Sequence, residues 1–288
     1  MNYPQRFHQL LNYIDSNLDE DLTIDKLSNL ACLSKYHFHR QFASLFGITA
    51  FAYIRQARMK RASYQLAFKK EMRIIDIAVA NGYESSEAFS RAFSQSIGQN
   101  PSQFREQPQW QPWCQKYEQS KTLRIQRMKS NKRSHRVEIV DFNEVKVAAL
   151  VHLGPLELLG NTINLFIDWR RKNNLSPKVS RTFNIVYDDP AVTEPEKYRC
   201  DICVSVKSDV TKNEHGVVTK NIAAGRCAVI RHVGSDDTIS ETIAYLYSDW
   251  LAQNEVELRD APLFFERVSF FPDVPEAEVV TDIYLPLK

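Results

Sequence analysis

Two short stretches of this sequence set polar side chains at helical spacing against phenylalanines. In "CLSKYHFHRQF", Lys35, Tyr36, His39 and Arg40 cluster at spacings of one, three and four, and in "GYESSEAFSRAF", Ser86, Glu87, Ser90 and Arg91 do the same. Such spacings bring each set to one side of a helix, close to its N-terminus. The chemistry on offer is that of nucleic-acid base edges. An arginine can bond two acceptors of guanine at once, a glutamate can accept from cytosine, and hydroxyls can serve bases or phosphates. The competing reading is a solvated helix face with arginines packed against the protein. It weighs as much as base contact for Lys35 and Ser90, and less for Arg40 and Arg91.

The elements that must position these side chains emerge from a repeat. A shift of 51 residues aligns "IDKLSNLACLSKYHFHRQFASLFG" with "IDIAVANGYESSEAFSRAFSQSIG", with identities at Asp25/Asp76, Ser34/Ser85, Phe38/Phe89, Arg40/Arg91, Phe42/Phe93 and Gly47/Gly98. In each copy the two phenylalanines are four apart and share one face, where a core stripe belongs. Ser34 and Ser85 stand where an N-cap would start the helix, and Gly47 and Gly98 where it would stop. A short apolar helix precedes each cap, so each copy predicts a helix-turn-helix. Gly82 suits a turn with positive φ, whereas the matching turn around Ala31 and Cys32 must form with a side chain present. "AFAYIRQARMKRASYQLAFKK" between the copies predicts a long connecting helix.

Residues 8 to 107 resemble the DNA-binding domain of the AraC/XylS family of transcription regulators. The resemblance rests on "LSNLACLSKYHFHRQFASLFGITAFAYI" and "IIDIAVANGYESSEAFSRAFSQSIGQNPSQF", the second containing the turn formed by Gly98 and Pro101. It implies two helix-turn-helix units placed in successive major grooves of double-stranded DNA, with RNA polymerase as a further partner and activation as the output. Adjacent major grooves recur about every 34 Å, a separation that a rigid connecting helix can hold. Cys32 replaces the usual turn glycine, and Ala50 stands where the second copy has Pro101.

Charge divides the chain in a way the net +2 conceals: +3 over residues 1–107, +6 over 108–134 and −7 over 135–288. A basic front and an acidic back suggest that only one part meets a polyanion. Residues 108–134 read as a basic linker, whose cations could touch phosphate or keep the linker solvated, and Trp110 and Trp113 are expected to pack on a domain surface. No apolar run has the length of a membrane span and no signal peptide is recognisable, so a cytoplasmic location without membrane contact is expected. Five cysteines at irregular positions predict free thiols.

From residue 135 the periodicity alternates, interrupted by two helical stretches, "LELLGNTINLFIDWRRKN" and "DTISETIAYLYSDWLAQN". A second internal repeat pairs "HLG" at 152–154 with "HVG" at 232–234. The expected architecture is therefore two domains: 1–107 all-α with two helix-turn-helix units, and 135–288 α+β, an antiparallel sheet with a pseudo-two-fold axis. This second half resembles the gyrase-inhibitor-like effector-binding domains that follow AraC-type domains in Rob-like regulators, on "YDDP", "YRCDICV", "PLFFERV" and "TDIYLPLK". The resemblance implies a small-molecule effector held by a glutamate, here Glu266. Val268 stands where relatives often have an aromatic, and Leu156 follows Pro155 where they have tyrosine.

A carboxylate near Phe264, Phe265 and Phe270 is costly to ionise without a partner, which a cationic, partly apolar ligand would supply. Trp169, Phe166, Tyr187 and Tyr245 are expected as aromatic walls. Ordinary core packing competes for at least half of these, and a surface strand position competes for Glu266. Cys200 and Cys203 imitate CxxC, but their odd separation on a strand turns the thiols to opposite faces, so no metal or disulfide is expected. Neither cofactor nor catalytic motif is recognisable. Two other readings remain open: a small hydrolase using Glu266 as base, and a protein-interaction domain.

Overall fold

The computed structural model describes residues 3–117 and 136–288. These form two compact units, one holding residues through 117 together with Phe271–Glu278, the other the rest.

The first unit is helical: α1 (Tyr3–Ser16), α2 (Ile24–Leu30), α3 (Lys35–Phe46), α4 (Ala50–Phe68), α5 (Ile74–Ala80), α6 (Ser86–Ile97), α7 (Pro101–Glu106) and α8 over residues 110–117. Two separate cores organise it. Phe7, Leu10, Leu11 and Ile14 of α1 meet Leu27, Phe38 and Phe42 in one; Ile77, Phe89, Phe93 and Phe104 build the other. Helix α4 belongs to both, giving Tyr53, Ile54 and Ala57 to the first and Met59, Ala62 and Leu66 to the second. One rigid rod thus carries both helix pairs.

Several charged groups of α4 are structural. Arg58 donates to the carbonyls of Leu18 and Glu20, both at 2.8 Å, while Arg61 donates to Asn81 Oδ1 at 3.0 Å and to the carbonyl of Ala80. Burial lowers the pKa of both guanidinium groups. Lys60 pairs with Glu276 at 2.7 Å, with side chains only 7% and 11% exposed. Trp110, Trp113 and Tyr117 pack against the helices and close the second core, so the expected linker begins with a packed helix. The rest of the linker segment, from residue 118 through 134, lies outside the described residues.

The second unit is an eight-stranded, wholly antiparallel sheet: β1 (Val137–Phe142), β2 (Val145–Leu153), β3 (Thr182–Val186), β4 (Arg199–Ser205), β5 (Val218–Ile222), β6 (Gly225–Val233), β7 (Leu263–Arg267) and β8 (Val280–Pro286), in the order β1-β6-β8-β7-β3-β4-β2-β5. The pseudo-two-fold runs between β3 and β7, where Phe183 pairs with Glu266 and Ile185 with Phe264. The repeats exchange their first strands: β1 pairs with β6 and β5 with β2, so neither repeat is complete alone.

One face of this sheet is covered by helices. Phe166 and Trp169 of α9 (Leu159–Lys172) pack on Leu150, Ile202 and Val204. Ile239 and Ile243 of α10 (Ile239–Tyr245), with Leu246 and Trp250 of the π-helical turn that continues it, pack on Ile230, Phe265 and Ile283. Each helix is tied back by a buried histidine at equivalent places: His152 Nδ1 lies 2.8 Å from Thr162 Oγ1, and His232 Nδ1 2.8 Å from Thr242 Oγ1.

Candidate nucleic-acid interface and ligand face

Helices α3 and α6 begin and end alike. Ser34 accepts from the amide of His37 at 3.4 Å and Ser85 from that of Ala88 at 3.1 Å; Gly47 and Gly98 close them at φ 68° and 90°. Those conformations suit glycine because a Cβ would crowd the backbone. The preceding turns differ as the sequence indicates. Gly82 turns at φ 77° and Cys32 at φ 55° with its side chain in place.

With Phe38, Phe42, Phe89 and Phe93 fully buried, the opposite sides of both helices are available to solvent. On α3, Lys35, Tyr36, His39 and Arg40 are all exposed, Tyr36 at 87%. On α6, Glu87 and Arg91 are exposed, and Ser86 and Ser90 half-buried. Lys35 has a partner, Asp25 of α2 at 2.5 Å. The Glu87 carboxyl is held below the usual carboxylate range, first by its own backbone amide, then by the Ser85 and Ser86 hydroxyls, and last by Arg91.

Among the described residues of this unit, no helix packs on the other face of the sheet. Phe142, Phe183, Ile185, Cys203 and Phe264 form its floor, with Tyr187 and Tyr284 at the margin. Phe264 and Tyr284 stack with centroids 4.8 Å apart, and Phe142 lies edge-on to Phe264 at 4.9 Å. Glu266 reaches this floor, two residues from Phe264 on the same strand face. It accepts from Arg181 Nε and Nη2, both at 2.7 Å, and from the Tyr284 hydroxyl at 3.3 Å. The guanidinium lies 4.9 Å from the Phe183 centroid and 5.7 Å from that of Phe142. Its bond to Glu266 raises the Arg181 pKa, and burial, followed by the Glu266 charge, pushes the Tyr284 phenol up to about 12.

Two more carboxylates on this face are closed in the same way. Asp282, directly across from Glu266, accepts from Arg231 at 2.7 and 2.8 Å. Asp201, fully buried, accepts from Lys220 at 2.5 Å and from the Tyr187 hydroxyl at 2.7 Å. Burial draws the Lys220 pKa down, but the bond to Asp201 and its charge together outweigh it, so the net shift is upward. Asp201 Oδ1 has no hydrogen-bond partner among the described residues.

Of the residues expected around an effector, the structure brings together Glu266, Phe264 and, through the Asp201 cluster, Tyr187. Phe166, Trp169 and Tyr245 are a correction: they lie on the helix-covered face, the first two stacked 5.8 Å apart within the core there. Phe265 sits on that face too, because neighbouring strand residues point to opposite sides. Arg181, Tyr284, Phe142, Phe183, Asp201 and Lys220 escaped the sequence reading. Strand alternation could have found Arg181, since it precedes Phe183 by two residues. Cys200 and Cys203 are free, burial pushes both thiols up, and among the described residues no group of metal-ligating side chains occurs. No described helix is long and apolar enough to cross a membrane.

Residues 135–288 match the family of GyrI-like small molecule binding domains, and residues 27–107 match a helix-turn-helix domain family. The chain is 41% identical to "Probable transcriptional regulator YgiV" of Escherichia coli (strain K12) over 152 residues, 52% of this chain and 95% of that protein. It is 35% identical to "Regulatory protein SoxS" of Salmonella typhimurium over 91 residues, 32% of this chain and 84% of the relative. A solved structure described as "Cryo-EM structure of EcmrR-DNA complex in EcmrR-RPo" aligns over 92% of this chain and 98% of its own, at 15% identity and TM-score 0.45.

Proposed function

Because the chain belongs to the transcription regulators that join an AraC-type helix-turn-helix domain to a GyrI-like small-molecule-binding domain, we propose that it reads an asymmetric DNA site with α3 and α6 and reports a lipophilic cation bound on the helix-free sheet face. The observation that carries the DNA reading is the exposure of Arg40 and Arg91 at equivalent places of two helices with like caps and like cores. Lys35, Tyr36 and His39 join Arg40, and Ser86, Glu87 and Ser90 join Arg91. With both units on one rod, a single chain can occupy two successive grooves without dimerising.

On the sheet face, Glu266 is the anionic anchor, and Phe142, Phe183 and Phe264 supply the apolar floor. The effector is bound and released unchanged. Both oxygens of this carboxylate are committed to Arg181 in the empty protein and would pair with the cation in the complex, so it is a poor general base, which disfavours hydrolysis. The output is activation through RNA polymerase.

Selection of bound fragments from random DNA, with and without tetraphenylphosphonium, tests the whole reading. One asymmetric consensus of two half-sites about one helical turn apart is expected, occupied differently when the cation is present. Failure to enrich any consensus would overturn the DNA assignment. Mass analysis after incubation should recover the cation intact.

A further inference from the structure

An organic cation entering this site would find its place taken. The Arg181 guanidinium makes the contacts such a ligand needs: both oxygens of Glu266, and the faces of Phe183 and Phe142. We propose that Arg181 is a resident counter-ion that a lipophilic cation must displace, and that it thereby sets which cations this face accepts. The inference rests on the reading of the helix-free face as the cation site.

The empty protein has a reason to carry such a group. Glu266 and Asp282 are direct cross-strand partners, and like charges so placed repel. Arg181 and Arg231 each clamp one of them from the side. The Glu266 side chain is 18% exposed, so an unpaired charge there would be costly.

The geometry also lets Arg181 leave. Its backbone is fixed: its amide donates to Ser205 Oγ and its carbonyl accepts from the Ser205 amide, both at 2.9 Å. Its side chain is 47% exposed and can rotate outward without moving a strand. An outgoing guanidinium regains water, and an incoming cation restores the neutral pair. The exchange therefore leaves the charge balance of the floor unaltered, and the gain comes from the larger apolar surface the ligand buries. The other carboxylates offer less. Asp201 is fully buried beneath Lys220 and Tyr187, and Asp282 lies outside the phenylalanine cluster.

Calorimetric titration of the full chain with tetraphenylphosphonium tests the idea, using triphenylphosphine oxide as a neutral control. Arg181→Ala and Arg181→Gln should each bind the cation about tenfold more tightly than the unaltered protein, the size of one half-exposed charge-assisted contact. Affinity for the neutral control should not change, and Glu266→Gln should abolish the tenfold gain when added to Arg181→Ala. Equal or weaker cation binding by both Arg181 variants, each still folded at the temperature of the titration, would overturn the displacement while leaving the cation site itself standing. Absence of binding by every variant would overturn both.

Discussion

The two units treat charge in opposite ways. On α3 and α6, Arg40 and Arg91 stand open to solvent, whereas on the sheet Glu266, Asp201 and Asp282 are each closed by a cation of the same unit. The difference follows from where the charge sits. An arginine in water costs nothing to keep unpaired and stays free for a polyanion, while a carboxylate beside phenylalanine rings must be neutralised before the sheet is stable. A DNA surface can therefore wait open, and a ligand site built on a buried anion must be held closed until its ligand arrives.

Within the helical unit, Lys60 and Glu276 form a buried pair of the closed kind, and breaking it gives the largest expected effect. Lys60→Met removes the cation 2.7 Å from the Glu276 carboxylate, which is 11% exposed, and should cost about 3–5 kcal/mol in urea unfolding followed by tryptophan fluorescence. A loss below about 1 kcal/mol would place this pair with the open surface charges.

The open side of the comparison is sharpened by Arg40→Ala and Arg91→Ala. Each should weaken binding to the selected DNA site by about 1–3 kcal/mol and relax base preference, with no change in unfolding free energy. If stability fell and DNA affinity did not, these arginines would be packing groups, as Arg58 and Arg61 are.

The smallest effects compare the two turns. Gly82→Ala must hold φ 77° with a Cβ placed 2.6 Å from the Arg58 guanidinium, which is itself pinned by Leu18 and Glu20. A loss of about 1–2 kcal/mol is expected from thermal unfolding. Cys32→Gly relieves the same backbone conformation at φ 55° and should change stability by under about 1 kcal/mol, in the stabilising direction. Equal and opposite shifts would mean that backbone strain alone separates the turns; a larger loss at Gly82 assigns the excess to Arg58.

Much of the helical unit was legible because its information is local. Phenylalanines four apart, a serine cap and a closing glycine all lie within one helix, and the register of 3.6 residues per turn decides which side chains face out. The sheet was legible only in outline. Alternation identified strands and the repeat suggested a dyad, but the exchange of β1 and β5 between repeats leaves no local mark. For the same reason the sequence groups Phe166, Trp169 and Tyr245 with Glu266, although a sheet one residue thick separates them from it.

By itself, the sequence determined that two capped helices would bury phenyl rings and turn polar side chains outward, since periodicity and capping act over a few residues. Tertiary structure alone decided that Glu266 would meet Arg181, 85 residues away in the chain, and that the basic residues of α4 would divide between surface and interior. Strand pairing and face selection depend on which elements find one another across the fold, and burial then settles which charges must be paired.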